Sequence, residues 1–339
     1  MSYVTRLDYT QFLLVSQVNY TLTYFADHRP GFSHDAVRRY LQEEKLSARL
    51  LWEQVDDQVK RSEGAYLAFD DVVLDHNGSP KIEMARRQWS GNAHSVIQGI
   101  GVVTCVYVVP ELDEYWLIDY RIYDPGRDGK GKLDHVRDML DNALFDKRLP
   151  CRGVLVDSWY AERKLMMHIE RCGKVYYCPL KSNRQIEATP ETPQGYQRVD
   201  SLTWTDEQQQ AGQRVHLKDF PKGHTVTLFR LALSTQHTDF VVTNDKTQLT
   251  ASGAQEACDW RWRIEQVHRE LKQTTGIEGC QCRRFRSQRN HIACSMLVWA
   301  FLRRTATATQ TSVYKIKFGL LDDYMFQQLR SPTLRMQLA

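Results

Sequence analysis

No run of apolar residues here approaches a membrane span: the longest, Val102-Val103-Thr104-Cys105-Val106-Tyr107-Val108-Val109, falls far short of the ~20 residues that a bilayer requires. No membrane partner is expected. Cysteine is sparse, eight in 339 residues, which excludes a disulfide-built scaffold and points to a reduced, intracellular chain. Met1 to Asp8 lack a basic stretch leading into an apolar core, so no secretory signal is expected and the location is read as cytoplasmic. Neither sign of charge dominates: 45 Lys and Arg stand against 41 Asp and Glu, a net +4, so only the distribution of charge can speak for nucleic acid. Internal repeats and low-complexity linkers are missing too. What is present is ordinary for a globular protein, 42% hydrophobic and 25% charged, with length enough for two or three domains.

Residues 1–62 read as helical. Ser33 is a plausible N-cap for the segment through Leu41, and Ser47 for a second helix through Val59. The pair, joined by Glu43-Glu44-Lys45, fits a DNA-binding helix-turn-helix or an ordinary helical bundle. From Gly64 the texture changes. Ala65–Asp70, His94–Val109 and Tyr115–Tyr123 read as three mostly antiparallel strands. A glycine-rich basic loop containing Arg127 to Lys132 follows, then a helix Leu133–Phe145, a buried strand Gly153–Asp157 and a helix from Tyr160 to Arg171. Three strands, helix, strand, helix is the opening of a ribonuclease-H-like α/β fold. Residues 174–247 hold a β-rich insertion and a returning core strand. One helix from Thr250 to Thr275 and another from Ser287 to Thr305 come next, and residues 306–339 form a helical tail. The expected divisions are therefore 1–62, 63–173, 174–247, 248–305 and 306–339.

Three acids fall where a metal site would want them: Asp70 and Asp157 at the ends of the first and fourth strands, and Glu265 on the helix after the insertion. In a ribonuclease-H-like sheet those two strands are neighbours. Carboxylates facing one another repel unless a cation lies between them. Hard ions such as magnesium prefer oxygen ligands, and two of them can clamp the attacking and leaving oxygens of a phosphodiester; manganese is expected to substitute. Alternation along the strand turns one of Asp70 and Asp71 inward, and Asp70 is the choice. At about 100° per residue Cys258, Arg261 and Lys272 share the face of Glu265, while Trp260, Ile264, Val267 and Leu271 form a core-facing stripe.

The run Arg261-Trp262-Arg263-Ile264-Glu265-Gln266-Val267-His268-Arg269-Glu270-Leu271-Lys272 resembles the signature helix of DDE transposases of the insertion sequence four superfamily, Tyr-x2-Arg-x3-Glu-x6-Lys. Arg261, Glu265 and Lys272 match it, and Cys258 stands at the tyrosine position. Val154-Leu155-Val156-Asp157-Ser158-Trp159-Tyr160 looks like the second-aspartate motif of that superfamily. Phe69-Asp70-Asp71-Val72 looks like the first, with Val72 where threonine is common. The resemblance spans Gly64 to Thr305. It implies a cut-and-paste transposase in which Asp70, Asp157 and Glu265 bind two magnesium ions and Arg261 and Lys272 hold phosphates. It also implies a hairpin intermediate, for which Trp159, Tyr160 or Trp204 could receive an extruded base.

From Arg261 to Arg289, eight Arg and Lys face three acids. Arg263, Arg269, Arg283 and Arg284 are therefore candidate DNA contacts, with His268 a phosphate-contacting or interior residue. The expected partner is double-stranded DNA, terminal inverted repeats and target, bound by a homodimer on paired ends. The competing readings are an endonuclease without strand transfer and a domesticated DNA-binding protein. Cys280, Cys282, His291 and Cys294 carry zinc-ligand residue types, but in irregular spacing and on an apolar helix, which favours core thiols.

Overall fold

In this computed structural model residues 3–79, 81–91, 93–188, 195–234 and 237–335 are described. Four helices open the chain, α1 (Arg6–Val15), α2 (Leu22–His28), α3 (His34–Glu43) and α4 (Ala48–Val55). Thr5, Thr21 and Ser33 cap the first three, each side-chain oxygen accepting from the amide three residues on. Ser47 begins α4 without a capping bond, and α4 stops at Val55, short of Val59. Next come β1 (Tyr66–Asp75), β2 (Arg86–Ser90), β3 (Ser95–Val109), β4 (Glu114–Ile122), the short α5 (Pro125–Asp128), α6 (Lys132–Asp141), β5 (Gly153–Leu155) and α7 (Arg163–Arg171). Then follow β6 (Val175–Leu180), β7 (Gln185–Glu187), β8 (Gln197–Arg198), α8 (Asp206–Ala211), β9 (Gln213–Leu217), β10 (Val226–Ser234) and β11 (His237–Thr243). Five helices close the chain, α9 (Ala251–Asp259), α10 (Trp262–Thr274), α11 (Phe285–Ala308), α12 (Val313–Gly319) and α13 (Asp322–Arg330).

Three departures from the sequence reading have physical causes. β1 does not end at Asp70, because buried Val72, Val73 and Leu74 carry it to Asp75. β2 is too polar to announce itself, and forms by antiparallel pairing of Arg86–Ser90 with Gly99–Ser95 of β3. The helix expected from Thr250 to Thr275 is broken: Arg261, Arg263 and Ile264 donate to the carbonyls three residues back, a tight turn between α9 and α10.

The chain gathers into two compact units, and β1, β3 and α10 each run from one into the other. One unit comprises residues 59–72 and 102–266. Its sheet runs β3-β1-β5-β6-β11-β10-β9-β7-β8, with β4 also on β3. Tyr66, Leu67 and Ala68 of β1 pair in parallel with Gly153, Val154 and Leu155, and β5 pairs in parallel with β6. β11 returns antiparallel to β6, and β7 to β10 fill the stretch between them as a β-rich insertion. The mixed sheet with flanking helices is the ribonuclease-H-like order. Gly153 permits a close approach in it: a Cβ there would lie 2.6 Å from the Val175 carbonyl oxygen.

The other unit comprises residues 1–58, 73–101 and 267–339. Here α1, α3, α4 and α12 pack on α11, which is buried over most of its length. Buried Asn290 of α11 donates to the carbonyls of Leu41 (2.8 Å) and Glu44 (2.7 Å) and accepts from the Leu46 amide (3.1 Å). One side chain thus satisfies the turn between α3 and α4, and builds both helices into the bundle. Buried Lys317 donates to the carbonyls of Leu13, Leu14 and Ser16 at the end of α1.

Candidate active site

The parallel pairing of β1 with β5 stops at Ala68 and Leu155, and the acids follow two residues later on each strand path. Asp157 is fixed by its own turn, its Oδ1 accepting from the amides of Trp159 (2.9 Å) and Tyr160 (3.2 Å). Asp70 accepts from the Asp71 amide at 2.8 Å. The two neighbouring aspartates of β1 have opposite surroundings. Asp71 is neutralised by Lys132 Nζ at 2.5 Å and accepts from the Tyr160 hydroxyl at 2.7 Å. Among the described residues Asp70 has no such cation paired with it, and burial, then the charges of Asp157 and Asp71, push its carboxyl up to about 8. Burial also raises Asp157, against the pull of the two amides and Arg261.

Glu265 enters through Arg261, which pairs with it at 2.8 Å, both side chains about one-quarter to one-third exposed. Because α9 and α10 are separate, Cys258 and Arg261 do not share one continuous helical face with Glu265, as the uninterrupted reading required. Arg261 still reaches the carboxylate from the turn, and its charge acts on Asp70 and Asp157 as well. Ile264, Val267 and Leu271 are buried as expected, and Trp260 is half-buried. Among the described residues, Asp70, Asp157 and Glu265 do not bring one oxygen each within 4.8 Å of one another. The set is all carboxylate, the donor chemistry of a hard divalent cation, and Glu265 is paired with Arg261.

The remaining candidates are placed as follows. Lys272 donates to the Val73 carbonyl (2.7 Å) and pairs with Glu278 (2.8 Å). Arg263 pairs with Asp113, donates to Gln266 Oε1 at 3.0 Å and lies over the rings of Tyr115 and Trp260. His268 is buried; Arg269, Arg283 and Arg284 are exposed, Arg284 reaching Glu83 at 3.4 Å. Tyr160 is enclosed, whereas Trp159 is half-exposed, edge-on to the Tyr160 ring. Trp204 is half-buried. His291 is engaged on both ring nitrogens, by the Tyr9 hydroxyl (2.9 Å) and the Gly276 carbonyl (3.0 Å), and Cys294 meets the Tyr40 hydroxyl at 3.7 Å, so both serve the core. The sequence placed Lys132 in a basic loop and did not reveal that it neutralises Asp71 under the rings of Tyr123 and Trp159.

The family described as "Transposase DDE domain" matches residues 118–301, a span holding Asp157, Arg261 and Glu265. Among solved structures, a piggyBac transposase synaptic complex with hairpin DNA is similar at a TM-score of 0.50 and 12% identity, covering 99% of this chain and 76% of that one, a likeness of fold. No curated protein matches.

Proposed function

The chain belongs to the transposase DDE-domain family, and from that premise we propose that it cuts double-stranded DNA at the terminal inverted repeats of a mobile element and joins the freed 3′ ends to target DNA. Asp70, Asp157 and Glu265 hold divalent ions in this reading, two of magnesium, replaceable by manganese. Bound there, such ions polarise the scissile phosphate and ready water or a 3′-hydroxyl for attack. The residues of the chain do the positioning. The amides of Trp159 and Tyr160 fix one oxygen of Asp157, whose charge is felt by Asp70. Lys132 and Tyr160 keep Asp71 occupied, which leaves Asp70 as the reactive member of the pair. Arg261 guards Glu265 in the resting protein; once the carboxylate turns to the other acids, the guanidinium is free for a phosphate.

The observation that carries the reading is the Asp70–Asp157 pair, two recessed carboxylates on adjacent parallel strands whose nearby cation, Arg261, is already engaged by Glu265. Both element ends must be cut and joined together, so the assembly on DNA is a homodimer. The second strand is cut through a hairpin, the DNA form bound by the piggyBac structure. Purified protein, magnesium and duplexes carrying the terminal repeats test this. Cleavage and joining of a pre-cut 3′ end are expected, with Asp157→Asn losing both while retaining DNA binding. Undiminished cleavage by that variant overturns the mechanism, and cleavage without joining leaves an endonuclease.

A further inference from the structure

Besides the acids given a role above, the sheet unit brings three side chains of different chemistry together. Asp141 ends α6, while His168 and Cys172 lie four residues apart on α7 and its C-cap, the spacing that places two side chains on one face. His168 Nε2 is 2.7 Å from Asp141 Oδ1, and Cys172 Sγ is 3.9 Å from the same oxygen. One ligand atom of each lies within 4.8 Å of the other two, the one such group of His, Cys, Asp and Glu among the described residues.

A histidine–aspartate ion pair accounts for the first contact but not for the thiol turned to the same oxygen. Tetrahedral bonds of about 2.0–2.3 Å set neighbouring donors roughly 3.3–3.8 Å apart; the Cys172–Asp141 spacing of 3.9 Å is close to this, and the 2.7 Å His168–Asp141 contact has to open as the ion enters. Access is open: His168 is 18% and Asp141 44% exposed, and Cys172 is half-buried. We propose that Asp141, His168 and Cys172 bind a borderline-soft divalent ion, zinc by donor chemistry, with water in the fourth position. Imidazole and thiolate select zinc over magnesium, so this site and the carboxylate set discriminate between ions. On binding, Cys172 gives up its proton to solvent, His168 moves its ring proton from Nε2 to Nδ1, and the His168–Asp141 hydrogen bond is exchanged for two metal bonds. The ion ties α6 to α7, the helices that precede and follow β5 and Asp157 in the chain.

Cobalt(II) titration of the full-length protein tests the site, because only a thiolate ligand gives the near-ultraviolet charge-transfer band. We expect the wild type to show that band at one equivalent and zinc to bleach it. Cys172→Ala abolishes it, His168→Ala weakens binding at least roughly 100-fold, and Cys282→Ala and Asp157→Asn both retain it. Zinc also raises the Tm of the wild type and not of Cys172→Ala, with near-identical circular dichroism of the metal-free proteins as the control for folding. A wild type without the band, or a band that survives Cys172→Ala or follows Cys282, overturns the proposal. Because Asp157→Asn keeps the band, the outcome is separate from that of the DNA-cleavage reading.

Discussion

Around α11, Asn290 spends its amide on three backbone groups and Lys317 its ammonium on three carbonyls, whereas Asp70 and Asp157 in the sheet unit are recessed with their charges poorly matched. The helical unit uses buried polarity to fix a fold, and each such group is worth stability because its partner is present. The sheet unit leaves polarity unmatched beyond its pairing strands, which costs stability and, in the function proposed above, is offset when a cation binds.

The sharpest way to break that contrast is Asp70→Asn. Cleavage is expected to fall by on the order of 10³-fold or more, from loss of a metal-binding carboxylate. The fold should respond the other way. With its pKa raised to about 8 from 3.8, the native state keeps a proton that the unfolded chain has lost, so stability declines from about pH 4 to pH 8. At pH 7 without divalent ions the asparagine variant should therefore melt higher, by roughly 5 °C. A lower melting point in calorimetry would contradict the assignment of Asp70 as the unmatched acid. Asn290→Leu should do the opposite: three backbone groups lose their partner, at about 3 kcal/mol in urea unfolding. An unchanged midpoint would remove the clamp between α3 and α4 from the account.

His291 sharpens the comparison through pH. Burial holds its imidazole down at about 4, below the 6.5 of the unfolded chain, so the unfolded state binds the proton first. Stability should fall as pH drops from about 6.5 toward 4, by at most about 3 kcal/mol, and His291→Gln should flatten that slope. A slope that persists in the variant assigns it to other groups. The smallest effect is expected at Lys132→Met, which strips Asp71 of its cation and adds to the repulsion on Asp70; cleavage should drop by about tenfold, measurable in kcat, with the magnesium requirement moved to higher concentration.

Much of this was legible in the sequence, for reasons that differ by residue. Ser33 announced α3 because capping is a local bond, and the long apolar β3 and the α6 periodicity were equally local. The neighbouring placement of the two aspartate strands followed from element order, and β1 pairs with β5 accordingly. The extent of β1 was missed because Asp70 and Asp71 look like an end, while the buried residues beyond them decide otherwise. β2 was illegible because its pairing, not its composition, makes it a strand. No glycine or proline marks the interruption at Trp260–Arg261, and the Lys132–Asp71 and Asn290 contacts join residues too distant for any periodicity to connect.

The interruption between α9 and α10 has a mechanical consequence. Ile264, Val267 and Leu271 seat α10, while Trp260 and Arg261 lie before it in a turn held by hydrogen bonds three residues apart and not by the helical ladder. The guanidinium is thus carried by that turn and the carboxylate by the helix, so the latch joins two separately held pieces of backbone.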